Sequence, residues 1–164
     1  MTTHPAPIRP ARRLAPTAAL AAALAVTLVA APRALACSCT QPGPPAVELE
    51  NADAVFSGRV LSVEPIGDRG AYRRQAVRFA LASAWKGVPE GDEVTVTTSA
   101  DGATCGYSFE VGEEYLVYAH GDPGELTTGL CTRNDRLDRA TEDLTALGEP
   151  TRKVDRQAAK VPAC

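Results

Sequence analysis

Apolar residues recur along the chain in three rhythms, and each predicts a different kind of element. The first is a continuous run over residues 14–31, broken only by Pro16, Thr17 and Thr27. The second alternates with a period of two, as a strand with one buried face requires. It is clearest over 72–85, where Val77, Phe79, Leu81 and Trp85 share a face opposite Arg74, Arg78 and small alanines. Weaker versions predict strands over 54–64, 93–98, 115–120 and 126–130. Gly58 interrupts the first of these, which predicts a bulge or a close backbone approach. The third rhythm is helical: Leu137, Ala140, Leu144 and Leu147 recur at one-turn spacing after Asn134 or Asp135, either of which can cap a helix. Gly148 and Pro150 end that helix. Residues 46–52 are compatible with a short early helix, whereas Pro and Gly exclude one over 40–45.

Five strands, one of them long and bent, with a terminal helix, predict a mainly β fold. The expected architecture is a small five-stranded closed barrel of the oligonucleotide-binding type. Residues 37–148 form the expected domain, and the polar stretch 149–164 reads as a loose tail.

The long apolar run is a targeting segment on its flanks. Arg9, Arg12 and Arg13 precede it, and Ala34-Leu35-Ala36 closes it with the small residues that signal peptidase cuts after. Residues 1–36 therefore read as a signal peptide cleaved between Ala36 and Cys37, and the protein as secreted. Arg12-Arg13 also fits a twin-arginine export signal. Lipidation of Cys37 is the competing reading of the same site, although that pathway prefers Leu where Ala34 stands.

Cleavage changes the charge balance. All four arginines of the first 36 residues leave, and the remaining 128 residues carry 13 Lys/Arg against 20 Asp/Glu, a net charge of −7. Such a domain is a poor partner for nucleic acid or an anionic membrane. All five cysteines lie after the cleavage site, and in an exported protein they read as disulfides with one left over. Cys37 and Cys39 are too close to pair comfortably with each other, which favours two long-range bridges.

Enzyme chemistry has no foothold in the sequence. His120 is the only histidine after cleavage, and it has no visible catalytic partners. There is no Gly-x-Ser-x-Gly, His-Glu-x-x-His, phosphate loop or Cys-x-x-Cys. No cofactor of the protein's own is expected.

Several stretches, in order, resemble the tissue inhibitors of metalloproteinases, whose inhibitory part is a netrin-like barrel. They are Cys37-Ser38-Cys39, Ala52-Asp53-Ala54-Val55-Phe56-Ser57-Gly58-Arg59-Val60, Trp85-Lys86-Gly87, Cys105-Gly106-Tyr107, Tyr115-Leu116-Val117-Tyr118-Ala119 and Leu130-Cys131. Together they run from residue 37 to about 147. The resemblance implies pairing of Cys37 with Cys105 and of Cys39 with Cys131. It also implies a function. The α-amino nitrogen and carbonyl oxygen of Cys37 would bind the active-site zinc of a target metalloprotease. Ser38 would enter the main specificity pocket, and Thr40, Ala103 and Thr104 would widen the contact ridge around Cys39.

The family's third bridge, from the early helix region to the chain after the barrel, has no counterpart in residues 46–52, so Cys164 lacks an expected partner. The leading expectation is a monomeric, secreted metalloendopeptidase inhibitor whose partner is a zinc metalloprotease. The alternative is a non-inhibitory netrin-like binding or adhesion module, lipid-anchored if Cys37 is acylated.

Overall fold

The computed structural model describes residues 37–67 and 73–154. The proposed signal peptide, the proposed cleavage site and Cys164 lie outside the described residues. In chain order the elements are α1 (Pro45–Asn51), β1 (Ala54–Ile66), β2 (Arg74–Lys86), β3 (Glu93–Ser99), a 3-10 turn (Gly102–Thr104), β4 (Glu114–Ala119), β5 (Asp135–Arg136), α2 (Thr141–Leu147) and β6 (Arg152–Lys153).

One antiparallel sheet of six strands dominates, in the order β3-β2-β1-β4-β5, with β6 also pairing with β2. β1 and β2 form its spine, running in register from Val55 opposite Lys86 to Ile66 opposite Arg74. The register shifts three times, once between Ser57 and Gly58. A Cβ on Gly58 would stand 2.7 Å from the Ala80 carbonyl oxygen, so only glycine fits this close approach.

The first half of β1 is buried on both faces, which explains why Ala54, Val55 and Phe56 follow one another without polar alternation. On one face Phe56 and Val60 join Val77, Phe79, Leu81, Val94, Val96 and Val117 in the main core. Its centre is a chain of aromatic rings. Phe79 meets Phe56 at 5.4 Å and Phe109 at 5.2 Å, both edge-to-face, the arrangement the ring quadrupoles favour. Phe109 continues to Tyr115 at 5.0 Å and Tyr107 at 4.7 Å. On the other face Val55, Leu116 and Tyr118 are covered by Ala52, Leu49, Ala140, Leu144 and Leu147, contributed from in and around the two short helices.

The strand pairings define an open antiparallel sheet with β3 and β5 at its two ends, and closure into the expected barrel is not among them. The strand predicted over 126–130 contributes only isolated bridges at Thr127, to Thr97 of β3 and to His120 just after β4. Its continuation is diverted by side chains. The Asn134 side-chain oxygen accepts from the Tyr118 N–H at 2.9 Å, supplying the acceptor a neighbouring strand would have offered.

A second difference lies in the same stretch. The helix predicted to start after Asn134 or Asp135 starts at Thr141. Residues Asp135–Arg136 instead pair with Tyr115 and Leu116 as β5, because the open edge of β4 offers backbone partners that an isolated helix turn lacks. The predicted apolar face survives, and Gly148 ends α2 at positive φ. The tail expectation also fails for its first residues. β6 pairs with Ser83 and Ala84, and Thr151 and Arg152 donate side-chain hydrogen bonds to the carbonyls of Ala84 and Pro89 at 3.0 and 2.9 Å.

Candidate functional site: a cross-linked cysteine ridge

Cys37 is bridged to Cys105 and Cys39 to Cys131, across 68 and 92 positions of sequence. The tripeptide Cys37-Ser38-Cys39 is thereby fastened at both ends to the body of the domain, with Ser38 exposed between the fastenings. Thr40 and Ala103 are also exposed, and Thr104 is half-buried next to Cys105. The first bridge thus brings Cys37 and Ser38 to the loop that carries Ala103 and Thr104.

That loop is built by Asp101. Its carboxylate accepts from the Thr104 N–H and hydroxyl, both at 3.0 Å, and its carbonyl accepts from the Gly106 N–H at 3.0 Å. This is the side-chain-to-backbone capping for which Asp is favoured. Cys105 follows in the left-handed region at φ 59, the only non-glycine there among the described residues. Gly106 must be glycine, since a Cβ would lie 2.0 Å from the Ser99 carbonyl oxygen.

The Cys131 loop is built by hydroxyls. Thr128 donates to the Tyr118 carbonyl at 2.8 Å and accepts from the Asn134 side-chain N–H at 2.8 Å. Thr132 donates to the Gly129 carbonyl at 2.8 Å. The two cysteine loops are joined directly, the Leu130 N–H donating to the Cys105 carbonyl at 2.8 Å. Both anchor cysteines are therefore placed by hydrogen bonds that do not involve the bridges.

Beyond the ridge the chain is held at Gly43. Its N–H donates to the Glu48 carboxylate at 2.7 Å, and its carbonyl accepts from Arg133 at 2.9 Å. The same Arg133 donates to Asp143 at 2.6 Å and pairs with Glu142 at 3.2 Å. Asp143 is buried and also accepts from the Tyr118 hydroxyl at 2.8 Å. Burial, followed by that bond to a carboxylate, holds the Tyr118 phenol well above its ordinary pKa. Hydrogen bonding to Asp143 holds the Arg133 guanidinium charged. Through this network the segment before α1 is tied to α2, although no bridge joins them among the described residues.

The sequence assigns no site role to two residues found here. Leu130 is an apolar side chain 46% exposed beside Cys131, and its only local signal was its place next to a bridging cysteine. Arg133 gave no local signal, since its partner Gly43 lies 90 positions away. His120 is an exposed residue 3.9 Å from Asp53, in keeping with a surface role. A shallow depression lined by Arg59, Glu113, Glu114, Leu137 and Asp138 contains none of the ridge residues.

No protein-family model matches the chain, and no curated protein matches it significantly. No helix among the described residues is long and apolar enough to cross a membrane, and the two disulfides are consistent with an extracellular protein.

Proposed function

We propose that the mature chain is a secreted inhibitor of zinc metalloproteases that presents its own N-terminus as the zinc ligand. The observation that carries this reading is the bridging of Cys37-Ser38-Cys39 at both ends with Ser38 left exposed. The reading further takes the sheet as a netrin-like barrel. The single bridges at Thr127, between β3 and the end of β4, support that architecture.

Cleavage after Ala36 would free the Cys37 amine. A catalytic zinc keeps one position for water, and an amine and a carbonyl on one residue can displace that water as a five-membered chelate. A fraying terminus would lose conformational freedom on binding; one cross-linked at its first and third residues has already lost it. Ser38 then points into the pocket beside the zinc, and its small size admits it to many pockets without filling them, so discrimination between proteases is modest. Thr40, Ala103, Thr104 and Leu130 flank the contact.

The test is inhibition of a panel of zinc proteases by the mature, N-terminally sequenced protein. Inhibition that strengthens with pH is expected, because only the neutral amine binds zinc and a free α-amino group has a pKa of about 7.7–8.0. Absence of inhibition with a free Cys37 amine would favour a netrin-like binding module, and an acylated Cys37 would favour a lipid-anchored one.

A further inference from the structure

We infer that Arg133 is a positioning residue of the contact ridge, fixing the direction in which Thr40 and Gln41 leave the second bridge. The inference rests on the reading of that ridge as the surface that meets a zinc protease, and adds to it a residue that acts through others. Arg133 stands two positions after Cys131, and its nitrogens reach three partners. Nη1 donates to the Gly43 carbonyl at 2.9 Å, Nε donates to Asp143 at 2.6 Å, and Nη2 pairs with Glu142 at 3.2 Å. The Arg133 side chain is 20% exposed, and Asp143 is buried. A planar guanidinium offers its donors in fixed directions. Anchored on two carboxylates of α2, it therefore holds the Gly43 carbonyl in one place.

That bond closes a ring. From Cys39 the chain runs through Thr40, Gln41 and Pro42 to Gly43 and crosses by hydrogen bond to Arg133. It returns through Thr132 to Cys131 and crosses the second bridge to Cys39 again. Thr40 and Gln41 belong to the ring and are exposed. Their freedom is limited by both closures and by Pro42 and Pro44, whose side-chain rings fix φ. The other hydrogen bond at Gly43 goes to Glu48, only five positions away. It shapes the entry to α1 without fixing the segment against the Cys131 loop. Ser38 stands outside the ring, between the two bridges. With the ring open, Thr40 and Gln41 would have to be ordered at the moment of binding, and that lost freedom is subtracted from affinity. A lysine in place of Arg133 keeps a charge beside Asp143, but its single nitrogen cannot span Asp143, Glu142 and Gly43 at once.

The experiment compares the wild-type mature protein, Arg133→Lys and Tyr118→Phe, each with both bridges confirmed. Tyr118→Phe is the control. It removes the phenol's hydrogen bond to Asp143 in the same network and leaves all three contacts of Arg133 in place. Two quantities are read well below the unfolding temperature: the inhibition constant against one zinc protease, and backbone order parameters from nuclear relaxation. Arg133→Lys should weaken inhibition by roughly ten- to a hundred-fold. Its order parameters should fall to about 0.6 or below at Thr40, Gln41 and Gly43, and keep their wild-type values at Ser38 and along the sheet. Tyr118→Phe should lower the unfolding temperature yet inhibit like the wild type. If Arg133→Lys does not fold, Arg133→Met combined with Asp143→Asn removes both charges of the pair together and leaves no buried charge unpaired; it carries the same expectation. The proposal is overturned by wild-type inhibition in whichever of these Arg133 variants folds, or by unchanged order parameters at Thr40 and Gln41. It is equally overturned if Tyr118→Phe weakens inhibition as much as Arg133→Lys. A wild-type protein with a free Cys37 amine that inhibits no zinc protease refutes the inhibitor reading instead, and the order parameters still decide whether Arg133 holds Thr40 and Gln41 in place.

Discussion

The aromatic core around Phe79 and the ridge from Cys37 to Thr40 belong to one domain but are ordered by different forces. Phe79, Phe56, Val77 and Val96 are fully buried, and their order comes from apolar burial and ring packing. Ser38 and Thr40 are exposed, and Cys37 and Cys39 only half-buried. Their order comes from two covalent bonds and from the hydrogen-bonded loops that receive them. A core of this kind tolerates a poorly anchored surface segment. A segment of this kind stays rigid only while its anchors hold. The two regions should therefore respond separately to substitution, and the following changes set them against each other.

The largest loss of stability is expected in the core. Phe79→Ala removes the ring at the junction of the aromatic chain and should cost about 3–5 kcal/mol, read from urea unfolding. If the ridge is anchored locally, both linkages should still be found by peptide mapping of whatever fraction remains folded.

Opening one anchor comes next. Cys39→Ser with Cys131→Ser should cost about 2–5 kcal/mol while leaving the sheet's circular dichroism intact. Inhibition should fall further than stability does, because Ser38 is then held from one side only. Inhibition unchanged by the double substitution would show that the second bridge serves the fold alone.

The smallest stability effect is expected at the exposed centre of the ridge. Ser38→Gly and Ser38→Arg should each move unfolding by less than about 0.5 kcal/mol. Their inhibition profiles across several proteases should nevertheless diverge from the wild type and from each other. Identical profiles would remove Ser38 from the specificity pocket.

How much of this was legible beforehand follows the same division. Alternation placed β2 and β3 within a residue or two, because Val77, Phe79 and Leu81, like Val94 and Val96, face a core on one side only. Gly58 announced its close approach to β2 because nothing else fits there. Asn134 was ambiguous: a side chain suited to capping a helix is equally suited to bonding the edge of β4, and only the fold decides between them. β5 and β6 are two-residue pairings of polar residues, dictated by partners about 20 and 70 positions away, so no local period could mark them. At the ridge, the signal-like run and the closely spaced Cys37 and Cys39 were plain. The loops that receive them were not, since Asp101, Thr128 and Arg133 look like ordinary surface residues until their partners are known.

The central claim is that the Cys37 amine and carbonyl are the inhibitory group, and a single added residue tests it most directly. One alanine placed before Cys37 keeps every side chain and both bridges, but moves the amine off the chelating residue and puts a peptide bond in its place. The measurement is the inhibition constant of the extended and native proteins against the same zinc protease, beside their unfolding curves. The account predicts superimposable unfolding and loss of most of the inhibition. Equal inhibition by the two proteins would contradict it.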